Sequence, residues 1–306
     1  MRKVEHIKIE NEMRVNDLVL AMKKSGVMQA GKLALAVDIL EEAIKDKECR
    51  VFFGLAGAMI PAGMKQIILD LIENKWVDVI VTTGANLTHD LGESLGYSHY
   101  QGSEKMDDFK LKKAGYNRIY NSLMPNQIYI GLEKFIKKNF EELSKAKNIR
   151  EFLNILGKLS PKNTIVNACY RNNIPLFCPA LADSGLGLMI WGQIAQGKTT
   201  NVNAFDDLKE ILDIAWTSKK SAVFYVGGGV PKNYIQQAMQ LAPRNALYGV
   251  QITTDNEQYG GSSGARLREG ISWNKMNEKA KFVDVHVDAT ISLPLITASL
   301  KDRFKY

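Results

Sequence analysis

The chain has 306 residues, 45% of them hydrophobic and 24% charged, enough for one large buried core or two medium ones. The charge of +7 is spread over amphipathic stretches such as Leu132 to Lys147, where Glu141 and Glu142 intervene. It therefore reads as solvated helix face, not as a basic platform for nucleic acid. Met1 to Glu12 has no apolar core of an export signal, and no stretch approaches the ~18–20 apolar residues of a membrane span. Cys49, Cys169 and Cys178 have no CxxC spacing, and His6, His89, His99 and His286 show no paired-ligand spacing. No disulfide framework and no metal is expected, and the cytoplasm is the simplest location.

In chain order, Asn16 to Lys47 reads as helix, with Gly26 and Gly31 interrupting the periodicity. Val51 to Phe53 is a strand that feeds the small-residue loop Gly54–Gly63, and Met64 to Asn74 is a helix. Val77 to Val81 is a fully apolar strand. Gly102 to Lys113, polar and charged, is expected to be a long exposed loop. Asn163 to Ala168 begins a helix, Ile174 to Phe177 is a strand, and Asp183–Gly187 is a loop. Ser221 to Val226 is a strand ending in Gly227-Gly228-Gly229, with a helix from Pro231. Leu247 to Thr253 and Phe282 to Val287 complete at least five strands. Continuous apolar strands joined through helices predict α/β architecture with a Rossmann-like parallel sheet covered on both faces. No linker divides the chain, so residues 1–306 are expected to form a single domain, with 1–48 as an N-terminal helical extension.

Open α/β sheets bind ligands beyond the carboxyl ends of their strands. Four such segments carry unusual residues. Gly54–Gly63 would let backbone amides approach a pyrophosphate at a helix N-terminus, although it lacks the GxGxxG fingerprint and also suits a packing turn. Thr82 to Asp90 sets hydroxyls, an amide, an imidazole and a carboxylate directly after a strand. Gly227-Gly228-Gly229-Val230-Pro231-Lys232-Asn233 suits close backbone approach to a ligand, or simply a sharp turn into a helix. Gly260-Gly261-Ser262-Ser263-Gly264-Ala265-Arg266 is followed by Glu269 and by Ser272-Trp273-Asn274-Lys275. An indole beside Lys275 would strip water from the amine and favour its uncharged, nucleophilic form, although a lysine in such a segment, taken alone, is more often a surface residue.

These segments, in this order, resemble deoxyhypusine synthases from about Met28 to the C-terminus. The resemblance rests on VDVIVTTGAN, IPLFCPALADSGLG, VGGGVPK, GGSSGARLREGISWNK and VDATISLPL. It implies a Rossmann-like tetramer with active sites between paired subunits. It also implies NAD-dependent transfer of an aminobutyl group from a polyamine donor, spermidine, through a lysine imine to a lysine of a translation factor precursor. By resemblance Lys275 forms the imine, Trp273 lies over the polyamine and Glu269 faces its amines. NAD contacts are expected at Gly57, Ala58, Met59, Ile60, Pro61, Thr83, Gly84, Ala85, Asp183, Thr254, Asp255, Asp288 and Ala289. Substrate contacts are expected at Thr88, His89, Leu188, Gly228, Asn233, Gly260, Gly261 and Ser262.

The chain departs from the eukaryotic pattern in the amine pocket. Thr88 and His89 stand where those enzymes have paired glutamates, Leu188 and Ser262 replace aspartates, and Asn233 replaces a histidine. A buried ammonium without a partner costs several kcal/mol, so the grip on the donor must be rebuilt. Three readings follow: a divergent deoxyhypusine synthase, a homospermidine synthase-like enzyme using putrescine or another small amine as acceptor, or a non-catalytic NAD-binding homologue. The joint presence of Lys275, Trp273 and Glu269 argues against the last.

Overall fold

The computed structural model describes residues 1–305. Its first elements are α1 (Val15–Ser25), α2 (Met28–Lys45), β1 (Cys49–Leu55), α3 (Lys65–Glu73), β2 (Val79–Thr82) and α4 (Gly84–Ser94). Next come β3 (Tyr100–Gln101), α5 (Asp108–Ala114), β4 (Tyr116–Ile119), β5 (Ser122–Pro125), α6 (Gln127–Leu143), α7 (Ile149–Leu159) and α8 (Ile165–Asn172). The chain continues through β6 (Leu176–Phe177), α9 (Gly185–Ile194), α10 (Ala204–Thr217), β7 (Lys220–Val226) and α11 (Gly229–Leu241). It ends with β8 (Ala246–Thr253), β9 (Met276–His286) and α12 (Ala289–Arg303).

The main sheet is six-stranded, in the order β6-β2-β1-β7-β8-β9, which confirms the α/β, Rossmann-like expectation. A separate three-stranded sheet has the order β3-β5-β4. The described residues divide into two compact units. One comprises residues 1–56, 76–81 and the segment from Lys209 onward; the other comprises 57–75 and 82–208.

In the first unit, β1, β7, β8 and β9 pair in parallel. Leu55 lies opposite Val226, Val226 opposite Ile252, and Ile252 opposite Val285, so these strands end on one edge. β1 and β7 are buried almost throughout, as a sheet covered on both faces requires. Phe53 and Phe224 meet with ring centroids 5.0 Å apart. The N-terminal helices belong to this core: α2 packs on β8, β9 and α12 along a stripe that includes Leu33, Val37 and Leu40. Arg303 fastens the corner, donating to Asn16 on α1 at 2.8 Å and to Asp38 and Glu41 on α2 at 2.9 and 2.7 Å.

The single helix expected over Asn16–Lys47 is two. Gly26 takes φ +71 and its N–H bonds the Met22 carbonyl, a left-handed cap that ends α1. Gly31 stays helical, and a Cβ there would lie 2.5 Å from the Gly26 carbonyl carbon, so glycine permits the close turn. In the second unit, the loop expected over Gly102–Lys113 gives way to α5 from Asp108. Asp107 caps it by accepting from the Phe109 and Lys110 amides, and Gly115 at φ +80 ends it. Leu111 is its one buried residue, too little to show a period in the sequence. Among the described residues no helix is long and apolar enough to cross a membrane.

Because Phe224 is fully packed in β7, Phe224→Ala should cost ~3–5 kcal/mol of unfolding free energy, read by urea denaturation. A loss under ~1 kcal/mol would mean that the core collapses around the gap.

Candidate active site

The first unit gathers strand-end loops along the shared carboxyl edge of β1, β7 and β8. Gly227 takes φ +69, Gly229 takes φ +54, and a Cβ on Gly228 would lie 2.3 Å from the Ser263 Cα. Glycine at Gly228 is therefore what lets the 254–275 loop lie against the start of α11. Lys232, one turn into that helix, is wholly buried. Its ammonium donates to Gln251 Oε1 at 2.8 Å, to the Ser262 carbonyl at 2.7 Å and to the Ala265 carbonyl. Burial pushes Lys232 down to about 8, although Asp284 and Glu269 pull the other way. Gln251 in turn donates to the Ser263 carbonyl at 2.7 Å, and Ser263 donates to Asp255. Asp284 accepts from the Leu267 amide at 3.0 Å. A helix side chain and two strand side chains thus brace one loop at four points.

That loop ends in the expected nucleophile. The Lys275 amide donates to the Gly270 carbonyl at 2.8 Å, fixing the backbone. The Lys275 Nζ lies 5.0 Å from the Trp273 ring centroid, within cation–π range, and Trp273 is 54% exposed. Glu269, Gly260, Gly261 and Asn233 are exposed, and Ser262 donates to the Gly229 carbonyl at 3.1 Å. Thr254 is exposed, while Asp288 caps α12 by accepting from the Thr290 amide, with Ala289 as the first helical residue. A cavity of about 620 Å³ opens beside the ends of β8 and β9, lined by Lys32, Thr253, Asp255, Arg266, Asp284 and His286 among others. Its size suits a cofactor-sized ligand.

In the second unit, Thr83 caps α4 by accepting from the Asn86 amide, which leaves the Gly84 and Ala85 amides at the positive end of the helix. A Cβ on Gly84 would lie 2.5 Å from Ser184, the cap of α9. Thr88 is buried and its hydroxyl is already engaged, donating to the Gly84 carbonyl at 2.8 Å and accepting from the Leu186 amide at 3.0 Å. His89 Nδ1 lies 3.0 Å from His99 Nε2, and His99 Nδ1 lies 2.7 Å from Glu93 Oε1. Burial, reinforced by His99, pushes His89 down to about 4, with Glu93 pulling it up. Asp90 pairs with Lys65 at 3.0 Å and accepts from the Ile165 amide at 2.7 Å. Burial pushes its carboxyl up to about 6 against the pull of Lys65. Asp183 and Leu188 are exposed, Leu188 by 57%. Gly57 is exposed at φ +79, Ala58, Met59 and Pro61 are half-buried, and Ile60 is buried.

Sequence reasoning missed Gln251, Asp284, His99 and Glu93. Gln251 could have been found, because a buried amide interrupts an otherwise apolar strand. Glu93 follows His89 by four residues on α4, a helical spacing that could have flagged it, whereas His99 arrives only through the turn after α4, which no spacing rule signals.

Lys232→Met keeps the apolar stem but leaves three buried acceptors without their donor. It should cost on the order of 3 kcal/mol in urea denaturation. No change would show that the brace is dispensable. His89 gives a pH test. Unfolded, it protonates near ~6.5, whereas folded it stays neutral down to about 4. Between those values the unfolded chain binds more protons, so this group's share of stability is lost as pH falls. Asp90 slopes the opposite way, which makes the difference between wild type and His89→Gln the quantity to measure. Wild type should lose more stability than the variant between pH 6.5 and 4.5, and parallel curves would refute it.

Residues 17–300 match the profile of the deoxyhypusine synthase family. A "Probable deoxyhypusine synthase" of Methanosarcina thermophila is 42% identical over 302 residues, covering 98% of this chain and 95% of its own. "Probable deoxyhypusine synthase 2" of Archaeoglobus fulgidus is 40% identical over 288 residues, covering 91% of this chain and 95% of its own. The crystal structure of a candidate deoxyhypusine synthase from Entamoeba histolytica shares the fold, with a TM-score of 0.64 at 20% identity over 94% of this chain and 93% of that one. With the strand-end loops, the braced lysine and these likenesses in hand, the chain belongs to the deoxyhypusine synthase family of transferases.

Proposed function

We propose that the chain is an NAD-dependent transferase that moves an aminobutyl group from spermidine or a related amine to a lysine of a translation-factor precursor, carrying it as an imine on Lys275 and working as a homotetramer. One observation carries this reading: the contrast between the two lysines of the first unit. Lys232 has its ammonium engaged by three acceptors, so its lone pair is not available without dismantling the loop. The Lys275 Nζ makes no hydrogen bond among the described residues and rests against an exposed indole. A nucleophilic amine needs a nitrogen not tied up in hydrogen bonds and a fixed backbone, which is what favours Lys275 over Lys232.

The residues fit NAD. The amides of Gly84 and Ala85 lie at the positive end of α4, and Ala85 is exposed, which suits a pyrophosphate. Gly57 and Gly63 keep positive φ, and nothing lies within 4 Å of where a Gly63 Cβ would be, which suits close backbone approach. Asp183, Asp255 and Asp288 are carboxylates of the kind that would accept ribose hydroxyls and disfavour a 2′-phosphate. When bound, NAD supplies the hydride acceptor for the carbon beside the donor's secondary amine. Trp273 presents an aromatic face to the donor's methylenes and cationic nitrogens, and Glu269 offers an exposed carboxylate to a terminal ammonium.

Protein incubated with NAD and spermidine, then trapped with borohydride, should gain an aminobutyl mass on the peptide containing Lys275. NADP in place of NAD should give little adduct, and Lys275→Ala should give none. An adduct on Lys232, or none on any lysine of the wild type, would overturn the reading.

A further inference from the structure

His89, His99 and Glu93 form a chain that the transfer reading does not by itself require. Glu93 lies on α4 one turn beyond His89, and His99 follows in the turn after that helix. At neutral pH a carboxylate can only accept, so Glu93 Oε1 takes the His99 Nδ1–H at 2.7 Å. A neutral His99 then has a bare Nε2, which can only accept, and it takes the His89 Nδ1–H across 3.0 Å. His89 is left with its Nε2 lone pair unprotonated. That atom has no protein partner among the described residues, nor is it one of the buried polar atoms lacking a partner, so it faces solvent. The His99 side chain is 5% exposed, which shields the link from water. Lys65, from α3, stands 3.9 Å from Glu93 and 3.0 Å from Asp90, so its ammonium faces both carboxylates. Thr88, the neighbouring hydroxyl, has both roles taken. Of this pair of positions only His89 can meet a ligand.

We propose that Glu93 and His99 hold His89 as an Nδ1–H imidazole whose open Nε2 accepts a proton from the donor's secondary amine and relays it inward. One N–H bond of the protonated secondary amine breaks with its electron pair left on nitrogen, so the ammonium becomes a neutral amine, and the proton joins His89 Nε2. The His89 Nδ1 proton passes to His99 Nε2, and the resulting imidazolium is held by Glu93. His89 touches substrate; His99 is the relay and Glu93 its positioning residue. This assignment rests on the polyamine-transfer reading for the identity of the amine, and the tests separate the two.

Nitrogen-15 spectra of histidine-labelled protein at pH 7 should show His89 protonated at Nδ1 and bare at Nε2, with no ligand present. Spermidine added with NAD should shift Nε2 more than Nδ1. His99→Phe should release His89 into a mixture of tautomers and lower kcat at least tenfold while KM moves less than threefold. His99→Gln can still accept from His89 and donate to Glu93, but it cannot pass a proton. It should keep the His89 tautomer and still lose kcat, and thermal melts would show that both variants are folded. A resting His89 protonated at Nε2, or full turnover by His99→Gln, overturns the relay and leaves the transferase reading standing. Wild type that forms no Lys275 adduct overturns the transferase reading, while the resting tautomer and the spermidine shift, read without turnover, still decide the relay.

Discussion

A buried ammonium organises the first unit's share of the site. Lys232 reaches from α11 past β8 and gathers two carbonyls of the 254–275 loop, with Gln251 as the third acceptor. Burying a lone amine is costly, and it persists here because all three N–H groups find oxygen. The consequence runs outward. Gln251, oriented by Lys232, uses its own amide N–H on Ser263; Ser263 holds Asp255; Asp284 holds Leu267. The loop cannot slide without breaking several of these bonds together, so the backbone that presents Glu269, Trp273 and Lys275 is set before any ligand arrives.

The second unit achieves order differently, through helix termini and imidazoles. Thr83, Thr164 and Ser184 each cap a helix with a hydroxyl, at the starts of α4, α8 and α9. Asp90 and Lys65 pair beneath that helix, and Asp90 also closes the start of α8 through the Ile165 amide. The charges that remain near His89 are thus committed to structure. The three cysteines are inert for the same reason of burial, which pushes Cys49 and Cys178 up to about 12 and Cys169 higher still.

The parallel strands and their glycine-rich exits were legible because a strand buried on both faces is apolar without alternation, as in β1 and β7. Lys275 stands out in the sequence through its neighbours Trp273 and Glu269 and the family likeness, and the structure adds its contact with the Trp273 ring. Other features leave no local trace. The β3-β5-β4 sheet is made of strands two to four residues long, too short to display a period. α5 is held by a cap and one buried leucine. The break between α1 and α2 depends on Gly26 turning left-handed while Gly31 does not, a choice made by packing. The placement of Lys232 was visible as a lysine after three glycines, but whether it was nucleophile or brace depended on oxygens that lie 19, 30 and 33 residues away.

Replacing carboxylates by neutral acceptors changes what kind of amine a site welcomes. A glutamate beside a polyamine nitrogen stabilises the ammonium and so opposes the loss of the proton that must precede oxidation at the neighbouring carbon. An imidazole held neutral, as burial holds His89, accepts a hydrogen bond without stabilising the positive charge to the same degree. Thr88 and Leu188 add no charge: one hydroxyl is spent within the fold and the other side chain is apolar. Under the proposed chemistry, the second unit would therefore bind the donor less tightly through charge but hold its reacting nitrogen closer to the neutral form. Ground-state affinity through charge would be given up for a larger share of the neutral amine, the form that oxidation at the neighbouring carbon requires.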